Sequence, residues 1–208
     1  MLLRRLGALA VLLSAAPSCA AARSDCMLPV TAALPVSAPG DMAVVIFVRR
    51  DGGSGNIYTV MDDQKQFVGD SAAQSNFVVT LPPGDHVFVA WNNAAPSANA
   101  FTFEVIGAPH TDAPDLPRLE PLRATLGPGK LYVVEVGKDG TLRGIPPERG
   151  DAVLAGTAAY APDAERGRAV LARSPMRVEA IRQRALEQLD SYRYGDVALH
   201  TLRAKDGR

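Results

Sequence analysis

The chain holds only two cysteines, Cys19 and Cys26, both within its first 26 residues. It has no C-x-x-C pair and no Cys/His cluster, which excludes a structural zinc site. A mature form that starts at an acylated Cys19, or after it, keeps at most one free thiol, so an intramolecular disulfide is not expected. Histidine is confined to His86, His110 and His200, and tryptophan to Trp91. The longest apolar run, Leu6 to Ala16, is eleven residues. A bilayer-spanning helix needs about 20. The formal net charge is zero and neither half is strongly basic, so nucleic acid is not an expected partner.

The short apolar run is itself informative. Arg4 and Arg5 precede it, and small residues cluster behind it around Cys19 and Ala22, the arrangement of an export signal over residues 1–22. Two processing routes are open. Ala20-Ala21-Ala22 suits signal peptidase cleavage after Ala22, leaving Arg23 as the mature N-terminus. Ser18 before Cys19 suits lipoprotein processing, although Pro17 and Ala16 stand where the preferred pattern has other residues. On that route, which is the preferred one, Cys19 is the lipid attachment site, and Ala20 in place of an aspartate directs the protein to the outer membrane, facing the periplasm. On the other route it is periplasmic or secreted.

Residues 23–41 contain Pro29, Pro35 and Pro39, several alanines and no hydrophobic period, and read as a tether in which Cys26 either has no role or forms a mixed or intermolecular disulfide. From Met42 the pattern changes to short β-branched runs bounded by turn residues: 43–50, 56–63, 65–70, 76–81, 86–92, 101–106, 119–126 and 131–137, with an edge strand over 141–145. Pro83-Gly84 is a turn whose glycine takes positive φ. Strands at this spacing predict a mainly β domain over 42–145, an immunoglobulin-like or PEGA-like antiparallel β-sandwich. Residues 146–172 read as an irregular linker. Over 173–208, Ser174 and Pro175 open a helix in which Val178, Ile181, Ala185, Leu189 and Tyr192 form one stripe, and Gly195 is placed to stop it. The stripe covers either the body of the same molecule or a partner. Residues 42–137 carry 6 basic against 10 acidic side chains, and residues 138–208 carry 13 against 10.

The segments VVIFVRR (44–50), TVMDDQKQFVGD (59–70), LPPGDHVFVAW (81–91) and GKLYVVEV (129–136) together resemble a family of small bacterial envelope proteins, the domain of unknown function 2846. The resemblance spans residues 43–136. It implies an envelope location and strengthens the lipoprotein route, and it carries over no active site.

Few residues ask for chemistry. Gly52-Gly53-Ser54-Gly55 lacks the spacing of a nucleophile elbow and reads as a hairpin loop. His110 and Asp112 form a pair with no third ligand in sequence reach, and no metal or cofactor is expected. Asp62, Asp63 and Asp70 lack the spacing of a calcium loop and read as turn formers. Glu104 and Glu135 have no fixed separation. Trp91, beside Asn92 and Asn93 at a strand end, is the one candidate binding platform, with the loops 93–100 and 107–117 around it. The expectation is therefore a non-catalytic exported envelope protein that binds or scaffolds an envelope protein or cell-wall glycan, its membrane contact made through an N-terminal lipid. A periplasmic hydrolase using His86 or His110, and a structural subunit assembled through the C-terminal helix, are the alternatives.

Overall fold

A computed structural model describes residues 24–31, 33–35, 37–52, 56–92, 119–192, 197 and 199–208. The chain is mainly β, with two mixed sheets and a few helices. The strands are β1 (Met27–Pro29), β2 (Ala43–Arg49), β3 (Tyr58–Asp62), β4 (Phe67–Ser71), β5 (Ser75–Leu81), β6 (Gly84–Asn92), β7 (Leu122–Leu126), β8 (Leu131–Val136), β9 (Leu142–Ile145), β10 (Ala158–Pro162) and β11 (Thr201–Leu202). The helices are α1 (Gly150–Leu154), α2 (Ala164–Ala172) and α3 (Pro175–Ser191). One sheet has the order β1-β10-β5-β2-β8-β9, the other β11-β7-β6-β3-β4.

Every residue of β2 is buried, because this strand has apolar matter on both faces. Val45 and Phe47 belong to the main core shared with the second sheet, where the Phe47 ring meets Phe88 edge-on at 5.4 Å. Val44, Ile46 and Val48 belong to a smaller core with Val153 and Leu154 of α1. A strand covered on both faces reads as an unbroken hydrophobic run, which is how AVVIFV stands in the sequence. On β8 the same division holds: Tyr132, Val134 and Val136 turn to one core, Leu131 and Val133 to the other. Val178, Ile181 and Ala185 of α3, and Leu171 of α2, complete the main core.

The expected all-antiparallel arrangement is corrected. β2 pairs parallel to β8, β10 parallel to β5, and β11 parallel to β7. The cause is connectivity: the chain leaves the first sheet after β2, returns for β5, leaves again, and returns for β8. Short hairpins dictate antiparallel neighbours, whereas strands separated by an excursion are free to pair either way.

Two boundaries also change. The predicted tether is docked: β1 pairs antiparallel with β10, Val30 donates its backbone N–H to Ala159, and Cys26 is 4% exposed within the core. The predicted irregular linker 146–172 contains α1, β10 and α2. The β10 sequence AAYAP has little intrinsic strand preference, so its conformation comes from its ladder partners β5 and β1 on either side. Elsewhere local signals hold. Gly84 has φ +132°, a value that side chains rarely adopt, at the turn into β6. Ser174 takes the N-cap position of α3 with Pro175 in its first turn, although the Ser174 side chain makes no capping hydrogen bond. The helix stripe Val178, Ile181, Ala185 and Leu189 is buried. Gly195 and the predicted strand 101–106 lie outside the described residues.

Candidate functional site

β9 ends one sheet and β11 ends the other, and the two terminal strands meet along a seam. Gly144 permits the close approach: a Cβ there would lie 2.6 Å from Cδ1 of Leu202. The next turn, Pro146 to Arg149, bends away as a single 3-10 turn that begins at Pro147. Between it and β11 opens a groove of about 450 Å³. Its walls include Ile145, Pro146 and Leu199, and Leu199 is 57% exposed. Arg143, Glu148 and Asp206 place charges of both signs around it. The Asp206 carboxylate accepts the Arg203 backbone N–H at 2.8 Å, which holds the last turn of the chain against the groove. A terminal strand offers backbone N–H and C=O groups that an added strand can pair with. The surface therefore combines the edges of two terminal strands, an apolar wall and mixed charge.

At the opposite edge of both sheets sits a buried polar cluster. Thr59 donates its hydroxyl to the Asp70 carboxylate at 2.7 Å, and Ser24 donates to the other oxygen of the same group. Ser24 also accepts the Cys26 backbone N–H at 3.0 Å. Burial pushes the Asp70 carboxyl above its ordinary range, against the lowering effect of the two hydroxyls. Burial raises the Cys26 thiol too, with the neighbouring Asp70 charge adding to it. A raised thiol is a poor nucleophile at neutral pH, so this arrangement suits packing better than chemistry.

The sign of the Asp70 effect gives a prediction. A carboxyl whose folded pKa is raised adds stability at low pH that is lost as pH rises through the folded pKa. Asp70→Asn keeps an acceptor for Thr59 while removing the buried charge. Its unfolding midpoint in urea should therefore meet that of the parent in acid and exceed it at pH 8. A parent profile that stays parallel to the variant across pH 4–8 would show that the Asp70 charge is not under strain.

The residues singled out from sequence fare unevenly. Trp91 is 4% exposed on β6, an interior strand of its sheet, and belongs to the main core. The reading of Trp91 as a rim platform is thus corrected: β7 and β3 flank its strand, and its ring is sequestered. Asn92 ends the same strand opposite Tyr58. Asn93, Cys19, His110, Asp112, Glu104 and both candidate loops lie outside the described residues. The Nε2 of His86 is 3.0 Å from the Pro82 carbonyl oxygen, and its ring stacks on Phe88. His200, for which the sequence offered no partner, is buried and stacks on Tyr192 at 4.4 Å. Asp62 accepts the backbone N–H groups of Gln64 at 2.9 Å and Gln66 at 2.7 Å, the local bonding of a turn. Glu135 accepts two bonds from Arg50 on the surface.

No sequence signal marked the groove. Arg143, Glu148, Leu199 and Asp206 come from separate segments that only the meeting of β9 and β11 brings together, and Pro146-Pro147 marked no more than the end of a strand.

No protein-family model, no curated protein and no solved structure matches this chain.

Proposed function

We propose that this is a non-catalytic, exported envelope protein, lipid-anchored at Cys19, whose two-sheet body is a variant of the immunoglobulin-like or PEGA-like sandwich. In this reading the body binds an extended segment of another envelope protein at the seam between β9 and β11. The export signal and the resemblance over residues 43–136 support the compartment. The observation that carries the binding role is the groove itself, where two sheet termini flank an apolar wall bearing the exposed Leu199. Strand addition at such an edge draws affinity from backbone hydrogen bonds and selectivity from adjoining side-chain pockets.

A protein segment suits this groove better than cell-wall glycan. Sugar rings are commonly gripped by exposed aromatic faces, and the sole tryptophan is packed in the core. The hydrolase alternative finds no support at the groove, whose charged residues come without a histidine.

The test is site-specific photocrosslinking in the host. A photoreactive phenylalanine at Leu199 or Arg143 should give one discrete adduct, and the same group at Arg184, exposed on α3, should give none. The crosslinked peptide of the partner, made synthetically, should bind the purified protein and lose at least tenfold in affinity to Leu199→Asp. Equal adducts from all three positions, or a synthetic peptide indifferent to Leu199→Asp, would overturn the groove assignment.

A further inference from the structure

The docking of residues 24–30 changes what a lipid at Cys19 implies. The Asp163 backbone N–H donates to the Cys26 carbonyl oxygen at 2.8 Å, and the Arg166 guanidinium donates to the Asp25 carbonyl at 3.2 Å. With Ser24 bound to Asp70 and β1 laddered to β10, the chain is part of the body from Ser24 onward. Five residue steps separate Cys19 from Ser24, and a chain spans at most about 3.6 Å per residue, so the reach is about 18 Å. An anchor this short holds one particular edge of the body against the bilayer.

That edge is composed of β1, β10, β4 and α2. β4 is the terminal strand of its sheet, it lies against β5 and β10, and α2 packs on it. The contact is close, since a Cβ on Gly167 of α2 would lie 2.0 Å from the Phe67 ring of β4. α2 begins at the docked strap and leads away from it for nine residues, about 13 Å at 1.5 Å per residue, to the corner where α3 starts. Between positions 163 and 177 stand Arg166, Arg168, Arg173 and Arg177 against Asp163 and Glu165, a surplus of two positive charges. Arg166 is engaged by Asp163 at 3.3 Å, while Arg173 and Arg177 form no ion pair among the described residues. Met176, at the tip of the corner, is 87% exposed. Arginines around a protruding methionine match a surface of anionic headgroups with acyl chains beneath.

Resting on the lipid-anchor reading above, we infer that the protein seats on an anionic phospholipid surface by its α2–α3 corner, with Met176, Arg168, Arg173 and Arg177 at the headgroups. The groove at β9 and β11 then faces away from the bilayer. Five interstrand spacings separate β1 from β9, about 24 Å at 4.8 Å each. The acyl chains supply the affinity and the corner supplies the orientation, which leaves the seam open to a partner from the far side.

The experiment uses the full lipidated protein, its acylation verified by intact mass, in vesicles of phosphatidylcholine and phosphatidylglycerol. A thiol-reactive fluorophore is placed at Arg173→Cys or Met176→Cys, or at Arg143→Cys or Leu199→Cys. Cys26 is buried, and peptide mapping checks that the label sits on the introduced thiol alone. Headgroup-nitroxide lipids should quench the two corner labels at least threefold more strongly than the two groove labels. Acylated protein that floats with the vesicles yet shows equal quenching, or stronger quenching at the groove, would overturn the seating while leaving the anchor intact. Host-purified protein whose intact mass shows no acyl group on Cys19 would overturn the anchor itself, and the seating with it.

Discussion

Replacing Arg49 with methionine is expected to cost about 3 kcal/mol of stability, the low end of what breaking a buried ion pair from one side costs. Arg49 is wholly buried at the end of β2. Its guanidinium grips Asp51 through Nε at 2.5 Å and Nη2 at 2.7 Å, and Nη1 donates to the Asn56 carbonyl at 2.7 Å. The Tyr58 ring lies 4.9 Å from its central carbon. The group therefore ties the end of β2, the loop that follows and the start of β3 in one fork. Hydrogen bonding to Arg49 holds the Asp51 carboxyl below its usual range. Methionine fills the volume and loses every bond. Asp51 keeps 30% of its side-chain exposure and can partly rehydrate, which places the loss at the lower end. Arg49→Lys should also lose stability, because an ammonium on a flexible stem cannot reproduce the two-pronged contact. Urea unfolding at pH 7 measures both variants. A loss under about 1 kcal/mol for the methionine variant would mean the fork contributes no more than an exposed ion pair.

The second large effect concerns α3. Ile181 is 1% exposed and packs in the core common to both sheets. Ile181→Ala should cost about 2–5 kcal/mol, the range for truncating a buried aliphatic side chain. Ile181→Glu should abolish folding, since a carboxylate there would be buried without a partner. This pair separates the two readings of the apolar stripe. Were the stripe a partner-binding face, Ile181→Glu would leave a folded monomer of unchanged circular dichroism and alter only oligomeric mass. Expected instead is loss of the folded signal, with no folded monomer on size-exclusion chromatography.

Exposed charges near α3 contribute differently. Lys65 on the β3–β4 turn, followed by Gln183, draws the Glu179 carboxyl down to about 2. A lowered carboxylate adds stability that is present at neutral pH and is lost as pH falls toward that value. Its trend is opposite to that of Asp70, so acid titration of Lys65→Met and Asp70→Asn should move the stability profile in opposite senses.

What the sequence made legible follows from how local the determining forces are. β2 and β8 were readable because a strand buried on two faces needs a nearly continuous apolar run, which Arg49 and Glu135 interrupt only toward the strand ends. α3 was readable because one face is buried and the period is helical, and Ser174-Pro175 starts it by backbone preference alone. The turns at Asp62 and Gly84 depend on bonds or dihedral angles within a few residues. What escaped was set by distant partners. β10 and β1 have poor intrinsic preference and are strands only because each completes the other's ladder. Cys26 looked like part of a spacer because nothing in its neighbourhood signals that the Asp163 backbone N–H, far along the chain, bonds its carbonyl and that Asp70 bonds the nearby Ser24. Trp91 looked like a rim residue because it lies two residues before a polar loop, whereas sheet order puts its strand in the interior. The seam groove lies where the terminal strands of two sheets meet, which no local pattern encodes.

The most direct test is the intact mass of the mature protein purified from host membranes, beside a Cys19→Ala version. The expected result is a chain that begins at Cys19 and carries acyl groups, with the variant released from the membrane fraction. A chain that begins at Arg23, without acyl groups and in the soluble fraction, would contradict it.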